Sequence, residues 1–206
     1  MDKIPIILLA AGGSSRMGEP KQLLKWGNQT LLEHQVAVLQ KTGSPVLVVL
    51  GAVAEKIIPL LQNDDVAFTV NNNWEMGMGT SIVTGVRKVS DQFPDARGVL
   101  MALVDQPLLP LSHYKKLLEA FQPDKQQIIA SHSENGWTGV PALFDRCYFK
   151  ELIQLRKEEG AKKLLKKYAS KVRRVDGGEL LADLDTPESY QIMLRLIGEK
   201  PSNSAE

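Results

Sequence analysis

A short glycine- and serine-rich segment with two cations follows the first apolar run of the sequence. It reads Leu9-Ala10-Ala11-Gly12-Gly13-Ser14-Ser15-Arg16-Met17-Gly18-Glu19-Pro20-Lys21. Small residues allow backbone N–H groups to approach a phosphate closely, the serine hydroxyls add donors, and Arg16 and Lys21 add positive charge. The segment is therefore predicted to bind an anion such as a phosphate.

Two common phosphate-binding motifs do not match this segment. Gly13 and Gly18 have the spacing of a P-loop, but Glu19 and Pro20 stand where that motif requires Lys followed by Ser or Thr. Gly12-Gly13 also departs from the Gly-x-Gly fingerprint of dinucleotide-binding proteins. The alternative without a ligand is a tight connection from a strand into a loop.

An aspartate ends the apolar run 99–104, which continues as Asp105-Gln106-Pro107. Packing does not explain a carboxylate at the end of a buried strand, because burial of an unpaired charge is costly. Asp105 offers the hard oxygen ligand that Mg²⁺ prefers, and the alternative is a turn-capping role before Pro107. The sequence favours Asp105 as a metal ligand that faces the anion-binding segment.

A second acidic pair lies near the C-terminus, in Asp183-Leu184-Asp185-Thr186-Pro187-Glu188. Thr186-Pro187 is typical of a helix start, so Asp185 and Glu188 could instead form a capping pair. Asp183 and Asp185 both stay candidates for the same metal ion, with Asp185 favoured.

Apolar runs and amphipathic segments alternate around these residues. Uniformly apolar runs predict strands covered on both faces, at 4–9, 45–50, 66–70, 98–104 and 127–130. Helices are predicted at 31–39, 54–61, 80–89 and 112–121, the first opened by the capping box Thr30–Glu33 and the last by Ser112 as N-cap. A less regular second half adds predicted strands at 139–144 and 171–175 and predicted helices at 146–155, 160–168 and 187–197.

Strands that alternate with helices imply parallel pairing through right-handed crossovers. The predicted fold class is α/β, a three-layer α/β/α Rossmann-like arrangement around a mostly parallel sheet. Ligands bind such sheets beyond the carboxyl ends of the strands, where the glycine-rich segment and Asp105 both fall. We predict one domain over residues 1–197 and a flexible polar tail over 198–206.

The composition excludes several kinds of protein. The 206 residues include 25 Lys and Arg against 24 Asp and Glu, a net charge of +1, which argues against a dedicated nucleic-acid or membrane-surface protein. The single cysteine, Cys147, excludes an internal disulfide and a cysteine-based zinc site, and we expect a buried thiol. The apolar run 4–11 is far shorter than the roughly 20 residues that span a bilayer, so we expect a cytoplasmic protein.

The segment 150–174 is locally basic, with ten basic and three acidic residues. A solvated helix face is the ordinary explanation for such a run. An electrostatic funnel for a polyanionic acceptor is the alternative.

The segment from Leu9 to Lys21 resembles the signature of the MobA-like nucleoside triphosphate transferases, small relatives of the sugar-phosphate nucleotidyltransferases. The signature Leu-Ala-Ala-Gly-x-Ser-x-Arg-Met-Gly-x-x-Lys is met at every fixed position. Ala10-Ala11-Gly12 resembles the cytidine-using branch, closest to the molybdenum cofactor cytidylyltransferases. The family's Asp-x-Pro and C-terminal Asp-x-Asp-Thr-Pro motifs are also similar to stretches beginning at Asp105 and Asp183. The resemblance implies a fold of the nucleotide-diphospho-sugar transferase type.

The resemblance also implies roles for individual residues. Lys21 and Arg16 would neutralise charge at the α-phosphate and on the leaving pyrophosphate, and Asp105 with Asp185 or Asp183 would hold Mg²⁺. The nucleotide would be bound by Ala10, Ala11, Gly12, Gly13, Ser14 and Ser15, and by Asn73, Gly77, Gly79 and Ser81 of a second segment. Gly139 and Pro141 would lie beside the acceptor.

The implied activity is a Mg²⁺-dependent transfer of CMP from CTP onto an acceptor phosphate, with release of pyrophosphate. The implied acceptor is molybdopterin, and a molybdoenzyme or its chaperone is the implied transient partner. Val140 stands where molybdopterin-specific members often carry a polar residue, so a sugar phosphate or alcohol phosphate remains an alternative acceptor, and GTP an alternative donor. Outside enzymes, the alternative is a nucleotide- or cofactor-binding delivery module.

Overall fold

Strands and helices alternate along the chain, as the apolar pattern predicts. The computed structural model describes residues 4–14, 17–63, 66–134 and 136–198. The strands within them are β1 (Ile6–Ala10), β2 (Lys25–Trp26), β3 (Gln29–Thr30), β4 (Val46–Leu50), β5 (Ala67–Val70), β6 (Gly98–Leu103), β7 (Ile128–His132), β8 (Thr138–Asp145) and β9 (Val172–Asp176). The α-helices are α1 (Leu31–Gln40), α2 (Ala54–Asn63), α3 (Met78–Gln92), α4 (Leu111–Ala120), α5 (Phe149–Leu152), α6 (Lys162–Lys167) and α7 (Pro187–Gly198).

One mostly parallel sheet organises these elements, in the strand order β5-β4-β1-β6-β8-β7-β9. The pairs β1–β4, β1–β6, β4–β5 and β7–β9 are parallel, whereas β8 runs antiparallel to both β6 and β7. Helices pack on both sides of the sheet. The predicted α/β/α fold class is therefore confirmed, and β2 and β3 form a separate two-stranded ladder.

The central strands bury both of their faces. Every residue of β1 and β4 is buried, and successive side chains enter opposite cores. Ile6 and Leu8 pack in the core that holds α1 and α4, whereas Ile7 and Leu9 pack in the core that holds α3, α5 and α6. Helices on both faces thus explain the uniformly apolar runs in the sequence.

Two local predictions are wrong, the N-cap at Ser112 and the burial of Cys147, and the helix over 146–155 is confirmed only in part. Helix α4 begins at Leu111 with Pro110 as its N-cap and no side-chain cap, so Ser112 lies inside the first turn. A proline suits a helix start because it lacks an N–H and its φ is fixed near the helical value. The predicted helix over 146–155 is a 3-10 turn, Arg146–Tyr148, followed by the single turn α5, and Cys147 in that 3-10 turn is exposed.

Other boundaries differ from the predicted ones by a few residues. Strand β8 is longer than the predicted 139–144, and α2 contains Pro59 and extends past residue 61. Helix α7 includes Gly198, the first residue of the predicted tail, and 199–206 lie outside the described residues. Within the described part of the chain, every helix is too short or too polar to cross a membrane.

The capping box of α1 gives a test of helix stability. Thr30 Oγ1 accepts a hydrogen bond from Glu33 N at 3.2 Å, and Glu33 Oε2 accepts one from Thr30 N at 2.7 Å. Thr30→Ala should lower the free energy of unfolding by about 1 kcal/mol in urea titrations, because it removes the hydroxyl that accepts the hydrogen bond from Glu33 N. Thr30→Ser keeps the hydroxyl and should lie within about 0.5 kcal/mol of the wild type; equal losses in both variants would contradict the capping role.

Candidate active site

Two loops at one edge of the sheet carry the predicted catalytic residues. Strands β1 and β6 are parallel neighbours, with Leu9 opposite Leu103, so the segments that follow them leave the sheet side by side. The glycine-rich loop follows β1, and Asp105 follows β6 by two residues. The carboxyl ends of parallel strands thus bring the predicted phosphate-binding loop and the predicted metal ligand together.

Gln22 fixes the start of the glycine-rich loop. Its side chain is buried, with 1 % exposed, and its Nε2 donates hydrogen bonds to Ala10 O at 2.7 Å and Gly12 O at 2.8 Å. Because these carbonyl oxygens are bound inside the protein, they are turned away from an anionic ligand. Gln22 is not among the predicted site residues, although a polar residue between Lys21 and two leucines was a signal for it.

Ser14 closes the loop onto Lys21. Ser14 has a φ of +54°, in the left-handed region, and its Oγ accepts a hydrogen bond from Lys21 N at 2.9 Å. Its carbonyl accepts a further bond from Met17 N at 2.9 Å. Because Oγ is the acceptor in the bond to Lys21, its proton remains available for a ligand. The neighbouring site candidates Ser15 and Arg16 lie outside the described residues.

The Lys21 ammonium lies between two carboxylates from distant parts of the chain. Its Nζ is 2.6 Å from Asp185 Oδ1 and 3.3 Å from Asp105 Oδ2. The Lys21 side chain is only 12 % exposed, so solvent screens these attractions less than on an open surface. The structure therefore brings together three of the predicted catalytic and metal-binding residues.

The local structure before α7 leaves the Asp185 carboxylate for this contact. Thr186 Oγ1 accepts a hydrogen bond from Ser189 N at 3.2 Å, and Ser189 Oγ accepts from Thr186 N at 3.0 Å and Asp185 N at 3.2 Å. Leu184 N donates to Asp105 O at 2.7 Å, which ties this segment to the loop after β6. Thr186 and Ser189, not Asp185 and Glu188, thus cap the helix.

Burial perturbs two of the carboxyl groups. It raises the pKa of Asp105, against the opposing attraction of Lys21, and it raises the pKa of Asp183, against a hydrogen bond from Gln106. Asp105 Oδ1 is buried and has no hydrogen-bond partner among the described residues. A buried acceptor without a donor is costly unless something binds it, so this oxygen suits a cation.

Gln106 connects the aspartate loop to the predicted acceptor segment. It is fully buried, and its Nε2 donates to Asp183 Oδ1 at 2.9 Å and Val140 O at 3.1 Å. Asp183 is therefore held by an amide, while Asp185 meets the ammonium. Val140 lies between Gly139 and Pro141, so both predicted acceptor residues lie beside this junction. Gln106 is not among the predicted site residues, because it occupies the variable position of the Asp-x-Pro motif.

Asn71, rather than Asn73, organises the second predicted nucleotide-binding segment. Its Nδ2 donates to Thr80 Oγ1 at 2.8 Å and Ser81 Oγ at 3.0 Å, and its Oδ1 accepts from Asn73 N at 3.0 Å. Asn71 is buried, whereas Asn73 is exposed. Gly79 N donates to Lys157 O at 2.8 Å, so this amide binds a neighbouring loop.

A cavity of about 480 Å³ lies at this edge of the sheet. The predicted site residues that line it are Ala10, Ala11, Gly12, Gly13, Ser14, Lys21, Gly77, Ser81 and Asp105. Of the other described candidates, Asn73, Gly79, Gly139, Pro141, Asp183 and Asp185 are outside its lining. Trp74 packs on the loop, since a Cβ on Gly13 would come within 3.1 Å of its ring. Glu75 and Glu158 line the cavity as well and were not predicted.

The chain matches the family model of the MobA-like NTP transferase domain over residues 6–172. It belongs to this family. The matched region runs from β1 to the start of β9 and includes Lys21 and Asp105, while Asp185 lies beyond it. The protein is therefore a nucleotidyltransferase of the MobA-like type, with the nucleotide-diphospho-sugar transferase fold.

Individual relatives differ in how much of their length they share. Nicotine blue oxidoreductase of Paenarthrobacter nicotinovorans is 33% identical over 121 residues, which are 58% of this chain and 57% of the relative, less than two thirds of its length. Molybdenum cofactor cytidylyltransferase of Escherichia coli (strain K12) is 24% identical over 191 residues, 92% of this chain and 95% of the relative.

Among solved structures, Rv0371c from Mycobacterium tuberculosis H37Rv superposes with a TM-score of 0.83 at 27% identity, over 94% of this chain and 97% of that chain. A complex of Rv0371C with manganese superposes with a TM-score of 0.78 at 25% identity, over 94% and 98% of the two chains. The similarity thus extends over almost the whole fold.

The position of Gln22 gives a test of how the loop is held. Gln22→Leu keeps the approximate volume but leaves the carbonyls of Ala10 and Gly12 without a donor, which should lower the free energy of unfolding by about 2 kcal/mol. The Kd of nucleoside triphosphates should rise at least about tenfold in calorimetric titrations, because the loop loses its fixed orientation.

Leu61→Ala is the matched control for lost stability. Leu61 is fully buried in α2 and outside the cavity lining, and its truncation should cost about 3 kcal/mol while nucleotide affinity changes less than about twofold. Equal loss of affinity in the two variants would show that Gln22 acts through general stability alone.

Proposed function

We propose that this nucleotidyltransferase moves CMP from CTP onto the phosphate of molybdopterin and releases pyrophosphate. The observation that carries the proposal is the Lys21 ammonium between Asp105 and Asp185, beside a cavity lined by the glycine-rich loop. Support for CTP comes from Ala10-Ala11-Gly12, which resembles the cytidine-using branch. Support for the acceptor comes from the Escherichia coli cytidylyltransferase, which matches over nearly the whole of both chains.

The reaction is an in-line displacement at phosphorus. An oxygen of the acceptor phosphate forms a bond to the α-phosphorus of CTP, and the bond from that phosphorus to the oxygen that bridges to the β-phosphate breaks. The electron pair of the broken bond leaves with pyrophosphate, and the product contains a new P–O–P linkage. Such a step needs positioning and charge neutralisation rather than a covalent enzyme intermediate.

The residues of this chain fit that requirement. The hydroxyl of Ser14 and the backbone of Gly12 and Gly13 line the cavity where the phosphates would bind. Lys21 would stabilise negative charge that develops on the α-phosphate and the leaving group, at a position it already holds through two ion pairs. Without a ligand the ammonium faces two carboxylates, which leaves an excess of negative charge that a cation would neutralise.

Asp105 and Asp185 are the residues that would hold a divalent metal ion. The donor set fits Mg²⁺, because Asp105 Oδ1 is a buried oxygen without a partner among the described residues, and carboxylates are hard ligands. The described residues hold no cluster of three or more His, Cys, Asp or Glu arranged for a metal, in keeping with Mg²⁺ sites that take one or two carboxylates plus phosphate oxygens. When bound, the ion would supply Lewis-acid charge stabilisation.

A panel of nucleotides tests the proposal. The purified protein should bind CTP more tightly than GTP, UTP or ATP by calorimetry, and should release pyrophosphate only with CTP, molybdopterin and Mg²⁺ together. Turnover should stop when EDTA removes the metal and return when Mg²⁺ is added. The product is identified by mass spectrometry as the CMP adduct.

Four outcomes would contradict the proposal in different ways. Preference for GTP would overturn the donor, and turnover with a sugar phosphate or alcohol phosphate alone would overturn the acceptor. Binding without turnover on any phosphorylated acceptor would indicate a delivery module. A protein that releases no pyrophosphate but changes the oxidation state of nicotine blue would favour the activity named for its Paenarthrobacter relative.

The role of Lys21 gives a further prediction. Lys21→Ala should lower kcat about a hundredfold or more, because the lost charge stabilises the transition state. Lys25→Ala removes the same charge from an exposed lysine outside the cavity lining and should change kcat less than about twofold. A loss below about threefold in Lys21→Ala, measured as pyrophosphate release under saturating substrates, would reduce Lys21 to a binding role.

A further inference from the structure

An acidic side chain reaches the nucleotide cavity from the loop 156–160, between α5 and α6. Glu158 lines the cavity, and a Cβ on Gly77 would come within 2.7 Å of its Oε1. The loop is held against α3 by the hydrogen bond from Gly79 N to Lys157 O at 2.8 Å, and Lys157 has a φ of +45°. A non-glycine residue in the left-handed region is strained, and such strain clusters at functional sites.

Glu158 and its neighbour Glu159 have different surroundings. Glu159 accepts a hydrogen bond from Arg156 N at 2.9 Å and pairs with Lys163 at 2.7 Å. Glu158 makes no hydrogen bond or ion pair with another residue in the described part of the chain. One glutamate therefore stabilises the loop and α6, while the other is left for a ligand.

Lys21 and Glu158 reach the cavity from opposite sides of the sheet. Lys21 lies on the side of the sheet where Met17 and Leu24 pack with α1, whereas Glu158 belongs to the side where Leu155 and Ala161 pack with α3. The Lys21 side also carries the carboxylates of Asp105 and Asp185, so it would attract a polyphosphate once a divalent metal ion neutralises them, whereas the Glu158 carboxylate repels the phosphates. With the phosphates at Lys21, Glu158 faces the nucleoside.

A donor lies on the same wall as this acceptor. Ser81 Oγ accepts a hydrogen bond from Asn71 Nδ2 at 3.0 Å, so its own proton remains available, and Ser81 lines the cavity with Glu158. Cytosine presents an amino donor beside acceptors, whereas uracil has a carbonyl oxygen in place of the amino group. A carboxylate accepts hydrogen bonds only, so it pairs with the amino group and repels the carbonyl.

We infer that Glu158 determines base specificity by accepting a hydrogen bond from the exocyclic amino group of the nucleobase, so that cytosine is bound in preference to uracil. This inference rests on the proposed function, since it takes a nucleoside triphosphate as the occupant of the cavity. It adds a specificity-determining residue from a segment whose sequence resembles a solvated basic face.

The test is the ratio of Kd values for UTP and CTP, measured by calorimetry with Mg²⁺ and no acceptor. The wild type should bind CTP at least about tenfold more tightly than UTP, and Glu158→Gln should bring the two within about threefold, because the amide can donate to the uracil carbonyl. Glu159→Gln removes the same charge from the same loop, keeps an oxygen for Arg156 N, and should leave the ratio unchanged.

The outcomes separate the inference from the proposed function. An unchanged ratio in Glu158→Gln, while the wild type binds CTP, would overturn the inference alone. A changed ratio of dCTP to CTP affinity without a change for UTP would place Glu158 at the ribose and overturn the base assignment. Equal ratios in both variants would indicate a general charge effect and also overturn it. Failure of the wild type to bind any nucleoside triphosphate would overturn both.

Discussion

The contact of one ammonium with two carboxylates is the interaction around which the site is built. Lys21 reaches Asp105 across 84 positions of sequence and Asp185 across 164. Two buried or half-buried carboxylates would repel each other at this sheet edge without a cation between them. The pairing therefore requires that the loop after β1, the loop after β6 and the segment before α7 all be in place. A ligand that drew Lys21 toward a phosphate would leave the carboxylates without their cation, and the proposed metal ion would supply that charge.

Two neutral side-chain amides hold the backbone around Lys21 and the aspartates in place. Gln22 and Gln106 each donate two hydrogen bonds from a buried Nε2, the first to two carbonyls of the glycine-rich loop and the second to Asp183 and Val140. An amide fixes such groups without adding charge, so the electrostatics of the site stay with Lys21 and the aspartates. The orientation of the glycine-rich loop and of the predicted acceptor segment thus depends on two glutamines that the sequence motifs do not single out.

The fold could be predicted from the sequence where burial is two-sided and where caps are local. The apolar runs at β1, β4 and β6 exist because helices cover both faces, and the Thr30–Glu33 capping box involves residues three apart. The predictions failed where two nearby residues could each begin a helix. At α4 the N-cap is Pro110 and not the predicted Ser112.

The candidate site could be predicted in its residue types but not in its pairings. Asp183 and Asp185 could not be ranked firmly, because their difference depends on the Thr186–Ser189 cap and on a buried Gln106. Three consecutive asparagines, Asn71-Asn72-Asn73, differ in sequence only by position, and burial singles out the first. Tertiary packing decides which of three identical neighbouring residues faces the core, and the sequence pattern does not show it.

The near-zero net charge of the chain conceals an uneven distribution of acidic and basic side chains around the cavity. The basic segment 150–174 does not act as a uniform cationic face, because Lys163 and Lys167 pair with Glu159 and Glu151 on their own side of the fold. Glu158 belongs to the same segment, and its carboxylate lines the cavity that Lys21 also lines. A nucleoside triphosphate is itself asymmetric, with all its charge at one end and hydrogen-bond donors and acceptors at the other. If the cavity binds a nucleoside triphosphate as proposed, Lys21 and a metal ion on the aspartates would bind the phosphates and Glu158 would face the nucleoside, an orientation that a uniformly basic cavity would not impose.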